Sequence, residues 1–75
     1  MRKKLPLVSG QQAVRAFEKA GWIVERRHGS HVILKKPGIV YNLSIPNYTQ
    51  LKRGTLRSLI SKAELSVEEF VQLLS

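Results

Sequence analysis

Residues 22–36 read Trp-Ile-Val-Glu-Arg-Arg-His-Gly-Ser-His-Val-Ile-Leu-Lys-Lys, and the fold turns on how they are parsed. Trp22 to Arg27 opens on aromatic and β-branched residues, the composition of a strand, and His31 to Lys36 spells a second. His28-Gly29-Ser30 between them has the make-up of a turn joining antiparallel strands, with Gly29 supplying the backbone freedom. Side chains on a strand point alternately to opposite faces. On the second strand Val32 and Leu34 therefore face a core, while His31, Ile33 and Lys35 face away from it.

Working outward, Ser9-Gly10-Gln11-Gln12 has the form of a capping box, Ser9 as N-cap and Gln12 three residues on. Ala13, Val14, Phe17 and Ala20 then share one helical face, Gly21 closes the helix, and Trp22 packs beneath it. Pro37-Gly38 marks a turn. Beyond it Ile39, Tyr41, Leu43 and Ile45 alternate with Val40, Asn42 and Ser44, which predicts a third strand over 39–45 with Tyr41 in the core and Pro46 as its stop. A polar loop over 47–54 leads to a helix opening near Thr55, with Leu56, Leu59, Ile60 and Ala63 on its apolar side. Ser66-Val67-Glu68-Glu69 is a second capping box, and Val67, Phe70, Val71 and Leu74 stripe a short last helix, packing on the body or offering surface to a partner. The order α-β-β-β-α plus a C-terminal helix is an α+β fold. Its three-stranded antiparallel sheet carries both longer helices on one face and leaves the other to solvent. Residues 1–8 read as a basic N-terminal tail and 9–75 as a single domain.

Composition narrows the chemistry. The chain has 75 residues, 13 Lys+Arg against 5 Asp+Glu, a formal net charge of +8 and no cysteine. So short a domain buries only about 60% of its unfolded surface, and without cysteine it has no disulfide frame, thiolate nucleophile or Cys-ligated zinc. Aspartate is absent, and Glu18, Glu25, Glu64, Glu68 and Glu69 do not form the clustered carboxylates that a two-metal nuclease needs. All 13 basic side chains fall within residues 1–63 beside two of the acids, and the other three acids lie in residues 64–75. Such a basic stretch attracts polyanions, nucleic acid first; solubility is the plainer account of the same charge. No apolar run approaches the roughly 20 residues of a membrane span, and no apolar segment follows Arg2-Lys3-Lys4 as a signal peptide would require. The expectation is a soluble cytoplasmic protein with no membrane partner.

His28 and His31 are the side chains suited to general acid–base work near neutral pH. RNA carries its own nucleophile, the ribose 2′-OH, so a protein can cleave it by placing a base beside that hydroxyl and cations beside the phosphate. DNA lacks the hydroxyl and requires an activated water. His31, fixed on a strand and sharing its open face with Lys35 in reach of one scissile phosphate, is the stronger candidate; His28, in the turn, is held less firmly. Both also read as ordinary turn residues. Two histidines without a third ligand make a poor metal site. Lys52-Arg53-Gly54-Thr55 precedes a helix, where unpaired N–H groups, the dipole and two cations favour a phosphate, with Arg57 on the first turn. A basic loop facing water is the competing reading. Arg26-Arg27 and Lys35-Lys36 extend the positive surface, one of each pair to a face, and Tyr48 in the loop can stack a base.

Gly29-Ser30-His31 together with Leu51-Lys52-Arg53-Gly54-Thr55-Leu56-Arg57 resembles the HicA (YcfA-like) mRNA interferase toxins of type II toxin–antitoxin systems. The likeness runs from about Leu5 to Leu74 and takes in Leu7-Val8-Ser9-Gly10 and Ser66-Val67-Glu68-Glu69-Phe70. It implies a double-stranded-RNA-binding-domain-like fold and a small endoribonuclease that cleaves mRNA and arrests translation. It places the catalytic histidine on His31, with Gly29 and Ser30 as its lead-in. Lys35, Lys36, Lys52, Arg53, Gly54, Thr55 and Arg57 complete the expected RNA-binding set, with no metal or other cofactor. The resemblance further implies a HicB-type antitoxin, expected to offer acidic surface, with the toxin monomeric when free and hetero-oligomeric when bound. Many members carry a histidine shortly after the proline ending the third strand, whereas here Asn47 and Tyr48 follow Pro46, which leaves more to His31. A non-catalytic RNA-binding module with the same basic surface is the alternative, and a small DNA-binding regulator a third. The nuclease reading requires the His31 ring to lie outside the hydrophobic interior.

Overall fold

In the computed structural model, residues 5–74 are described. They form α1 (Gly10–Lys19), β1 (Ile23–His28), β2 (His31–Lys35), β3 (Leu43–Pro46), α2 (Arg53–Lys62) and α3 (Val67–Leu73). The strands make one antiparallel sheet in the order β1-β2-β3, the α-β-β-β-α-α arrangement consistent with a double-stranded-RNA-binding-domain-like fold. Both expected capping boxes are present. Ser9 Oγ accepts from the Gln12 N–H while Gln12 Oε1 accepts from the Ser9 N–H, and Ser66 and Glu69 reciprocate in the same way. Each box satisfies two N–H groups that a helix start otherwise leaves unpaired.

Val32 pairs with Ile45 and Leu34 with Leu43, so all four side chains point to the same side, where α1 and α2 cover them. Phe17 of α1 and Phe70 of α3 are both fully buried and meet with ring centroids 5.1 Å apart at 45°, a tilted aromatic pair that fastens α3 to α1. Phe70 is thus core, with Val67, Leu73 and Leu74 packed half-buried around it. Trp22 is buried below α1, its backbone N–H donating to the Phe17 carbonyl.

Four expectations are corrected. The third strand spans only Leu43–Pro46, because the register that pairs Leu34 with Leu43 leaves residues 36–42 to close the connection. Ile39 still packs against the core, but Val40 is fully exposed. Tyr41 is not core: it is 40% exposed and donates its hydroxyl to the Lys62 carbonyl at 2.7 Å, with Glu64 Oε2 3.3 Å away. Desolvation first, then the Glu64 carboxylate, raise its phenol above the usual tyrosine value. The second helix opens at Arg53, two residues earlier than Thr55, so Arg57 falls just past its first turn. Of the tail expected over residues 1–8, residues 1–4 lie outside the described residues. Leu5 and Val8 are buried at 2% and 3% exposure, anchored because the Val8 carbonyl accepts from the Leu51 N–H.

Gly10 is where α1 meets the sheet. A Cβ built there would fall 2.1 Å from the Pro46 carbonyl oxygen and 2.9 Å from Asn47 Cα, both backbone atoms that no side-chain rotation can clear. The Gly10 N–H meanwhile donates to the Tyr48 carbonyl at 2.8 Å. Gly10→Ala is expected to lower stability by about 2 kcal/mol or more, as overpacking does. Gly54→Ala, where a Cβ meets nothing within 4 Å, is expected to raise it by roughly 0.5 kcal/mol through helix propensity. Urea denaturation of the two variants beside the parent checks both signs.

Candidate nucleic-acid interface

The two-residue loop Gly29-Ser30 joins β1 to β2, and Gly29 takes φ +61° while Ser30 stays outside the positive region. Glycine at the first loop position is the pattern of a type II′ hairpin, whose twist matches that of its strands. So short a loop makes His28 and His31 directly opposite partners. Opposite residues of an antiparallel pair share a face. Since Arg27 pairs with core-facing Val32, both histidines stand on the uncovered side. A bulge between Val24 and Arg26 makes Glu25 the extra residue of β1, which lets Val24 face the core while Arg26, opposite Ile33, faces outward. The open face therefore presents Arg26, His28, His31, Ile33, Lys35 and Ser44, with Pro46 opposite His31 on β3. His31 is half-buried and lies outside the buried core.

Three main-chain hydrogen bonds gather the rest at this end of the sheet. The Asn47 N–H donates to the Ser30 carbonyl, the Gly10 N–H to the Tyr48 carbonyl and the Leu51 N–H to the Val8 carbonyl. The hairpin tip, the start of α1 and the start of α2 are thus tied together. α2 begins directly after Lys52, which makes no side-chain cap, and its first turn holds no acid. Its unpaired N–H groups and positive dipole end suit an anion. Round the rim from the histidines, Gln11, Arg27 and Asn47 line a recess of about 130 Å³ floored by Val14 and Val32.

The expected site residues divide between the two ends of the sheet. Gly29, Ser30 and His31 form the tip, and exposed Lys52, Arg53, Gly54, Thr55 and Arg57 lie at the start of α2 and along it. Exposed Tyr48 sits between them in the loop. Lys35 shares the face of His31 but stands four residues along β2, about 13 Å at strand rise, too far to serve the same phosphate. Its ammonium lies 3.8 Å from Glu25 Oε2 in an exposed pair of little energetic weight. Lys36 is elsewhere: its part-buried ammonium donates to the Ala20 carbonyl at 2.9 Å and so caps the C-terminal end of α1. The sequence reading missed His28 as a partner of His31, because it counted His28 within the turn. Two histidines bracketing a two-residue Gly-Ser loop were the available signal.

Residues 10–65 match the family model described as HicA toxin of bacterial toxin–antitoxin, a span from α1 through α2 that includes the hairpin tip and the Lys52–Arg57 segment. No curated protein matches the chain. From the placement of the cations, replacing Lys52 and Arg53 together by Gln is expected to weaken heparin or RNA binding and to flatten its salt dependence by roughly 0.7 per charge for single strands. Lys36→Met is expected to leave that binding in place and to lower the melting temperature instead. Affinity titrations across a salt series, beside thermal melts, separate the two.

Proposed function

The chain belongs to the HicA family of toxins of bacterial toxin–antitoxin systems, and from that premise we propose that it is an endoribonuclease that cleaves mRNA without a metal and so halts translation until its antitoxin binds. The observation that carries this reading is the position of His31. It sits on the central strand, on the sheet face no helix covers, outside the buried core, and at the end where the cationic start of α2 is held. An imidazole so placed can meet the ribose 2′-OH of a bound message.

In the proposed reaction His31 takes the 2′-OH proton as O2′ attacks phosphorus. The P–O5′ bond breaks, leaving a 2′,3′-cyclic phosphate on one fragment and, as O5′ takes up a proton, a 5′-hydroxyl on the other. Lys52, Arg53 and Arg57, with the N–H groups opening α2, hold the phosphate backbone and offset its charge. Gly29 and Ser30 keep the tip slender enough for the strand to approach. Arg26 and Lys35 extend the cationic track past the cut, a different task from the shared phosphate expected of Lys35.

Membership of a toxin–antitoxin family implies an antitoxin partner. A HicB-type antitoxin fits as one that lays acidic surface over the open face and the start of α2, blocking RNA by occupancy. The site of action would be the cytoplasm, where the message is; no helix among the described residues is long and apolar enough to cross a membrane.

His31→Ala is expected to cut cleavage of a test mRNA by roughly 10²-fold or more, the usual weight of a general base, while RNA affinity holds and EDTA leaves the parent's rate unchanged. Gel analysis of parent and variant with EDTA present reads both. Cleavage undiminished in the variant removes His31 from the chemistry. A parent that binds RNA and never cuts it favours the non-catalytic module.

A further inference from the structure

One imidazole accounts for half of the proton traffic in this cleavage. When O2′ attacks phosphorus a proton leaves O2′, and when the P–O5′ bond breaks a proton must reach O5′. The attacking and leaving oxygens lie on opposite sides of phosphorus, so the two transfers are best served by two groups flanking one phosphodiester.

The hairpin tip offers such a pair. His28 and His31 are opposite partners across the two-residue loop, on the same face, and Cβ atoms of such a pair stand about 5 Å apart. Two imidazoles on one face at that spacing can flank a single phosphodiester laid across the tip. His31 lies on the central strand between β1 and β3, half-buried, whereas His28 lies on the edge strand and is exposed. The more confined ring suits the group that must meet O2′ in one fixed geometry. The exposed ring suits the group that must regain a proton from water in every turnover. The charged side chain beside the pair on this face is Arg26 on β1, with Glu25 and Lys35 engaged with each other further along the sheet and Arg27 directed to the opposite face; the side chains from β3 on this face, Ser44 and Pro46, carry no charge.

We propose that His28 is a second catalytic residue, the general acid that protonates O5′ while His31 acts as base. This rests on the nuclease reading above. The proton taken from O2′ ends on His31, the proton delivered to O5′ comes from His28, and exchange with water restores both.

The test uses the full chain and two synthetic oligoribonucleotides spanning a cleavage site mapped on an mRNA. One has the natural O5′ at that site and the other a bridging sulfur, which leaves as a thiolate without protonation. His28→Gln is expected to slow cutting of the oxygen substrate by roughly 10²-fold or more and to regain most of that loss on the sulfur substrate. His31→Ala stays slow on both. Because His28 is exposed, His28→Gln should melt with the parent, and His28→Asn is run beside it as a second probe of the same role. Parent-like cutting of the oxygen substrate by both His28 variants overturns the proposal, as does slowness on both substrates. In those outcomes a deficient His31→Ala still supports the nuclease reading, whereas a parent that cuts neither substrate overturns that reading and this one with it.

Discussion

Between Gly10 and the Pro46 carbonyl there is room for a hydrogen atom and none for a methyl group. That contact, main chain against main chain, sets how closely α1 can lie on the exit of β3. The hydrogen bonds on either side of it fix the consequences. Tyr48 is held by Gly10, Asn47 by Ser30 and Leu51 by Val8, so the hairpin tip, the loop after β3 and the beginnings of both longer helices form one braced corner. Side chains carried beside a hairpin turn would ordinarily share the mobility of that turn. Here the turn is tied from behind by the segment that follows the opposite edge strand.

The same corner explains the electrical layout. α1 and α2 both start at it and both end at the far side of the sheet, where the Ala20 carbonyl accepts from Lys36 and the Lys62 carbonyl accepts from Tyr41. The positive ends of two helix dipoles thus lie at the corner tied to the hairpin tip, and carbonyls at the opposite ends are bonded by side chains. Lysine 36 illustrates the economy of the arrangement: one of two adjacent lysines serves the outer face and its neighbour closes a helix. Of the acids, Glu64, Glu68 and Glu69 are sequestered after α2 and in α3, away from the strands.

Much of this fold was legible in the sequence because its signals were local. The two capping boxes need only the identities of Ser9, Gln12, Ser66 and Glu69, and the Val32/Leu34 alternation needs only the strand period. What failed depended on register. Ile39 and Tyr41 continue the rhythm of Leu43 and Ile45, yet the pairing of Leu34 with Leu43 leaves them nothing to pair with; they keep their apolar character because Ile39 still leans on the core and Tyr41 reaches over the end of α2. Leu5 and Val8 read as tail because two apolar residues around a proline carry no period, and only the tertiary bond to Leu51 reveals their burial. In the candidate site, His31 and the Lys52–Arg57 segment could be located from alternation and helix position. The alignment of His28 with His31 rests on the length of the turn: a loop of Gly29-Ser30 alone makes them opposite partners, whereas a turn that includes His28 does not.

Glu25 is surplus to the ladder. Val24 opposes Leu34 and Arg26 opposes Ile33, so β1 would still match β2 rung for rung if the residue between them were missing. Natural length variation at this point should therefore be silent for the architecture, leaving tryptophan under its helix and both imidazoles outward. It would not be silent for the surface. Glu25 is the single carboxylate in any of the three strands, and a chain without it would greet an approaching polyanion with an unopposed cationic sheet and a liberated Lys35. One residue outside the pairing thus sets the charge balance of the uncovered face.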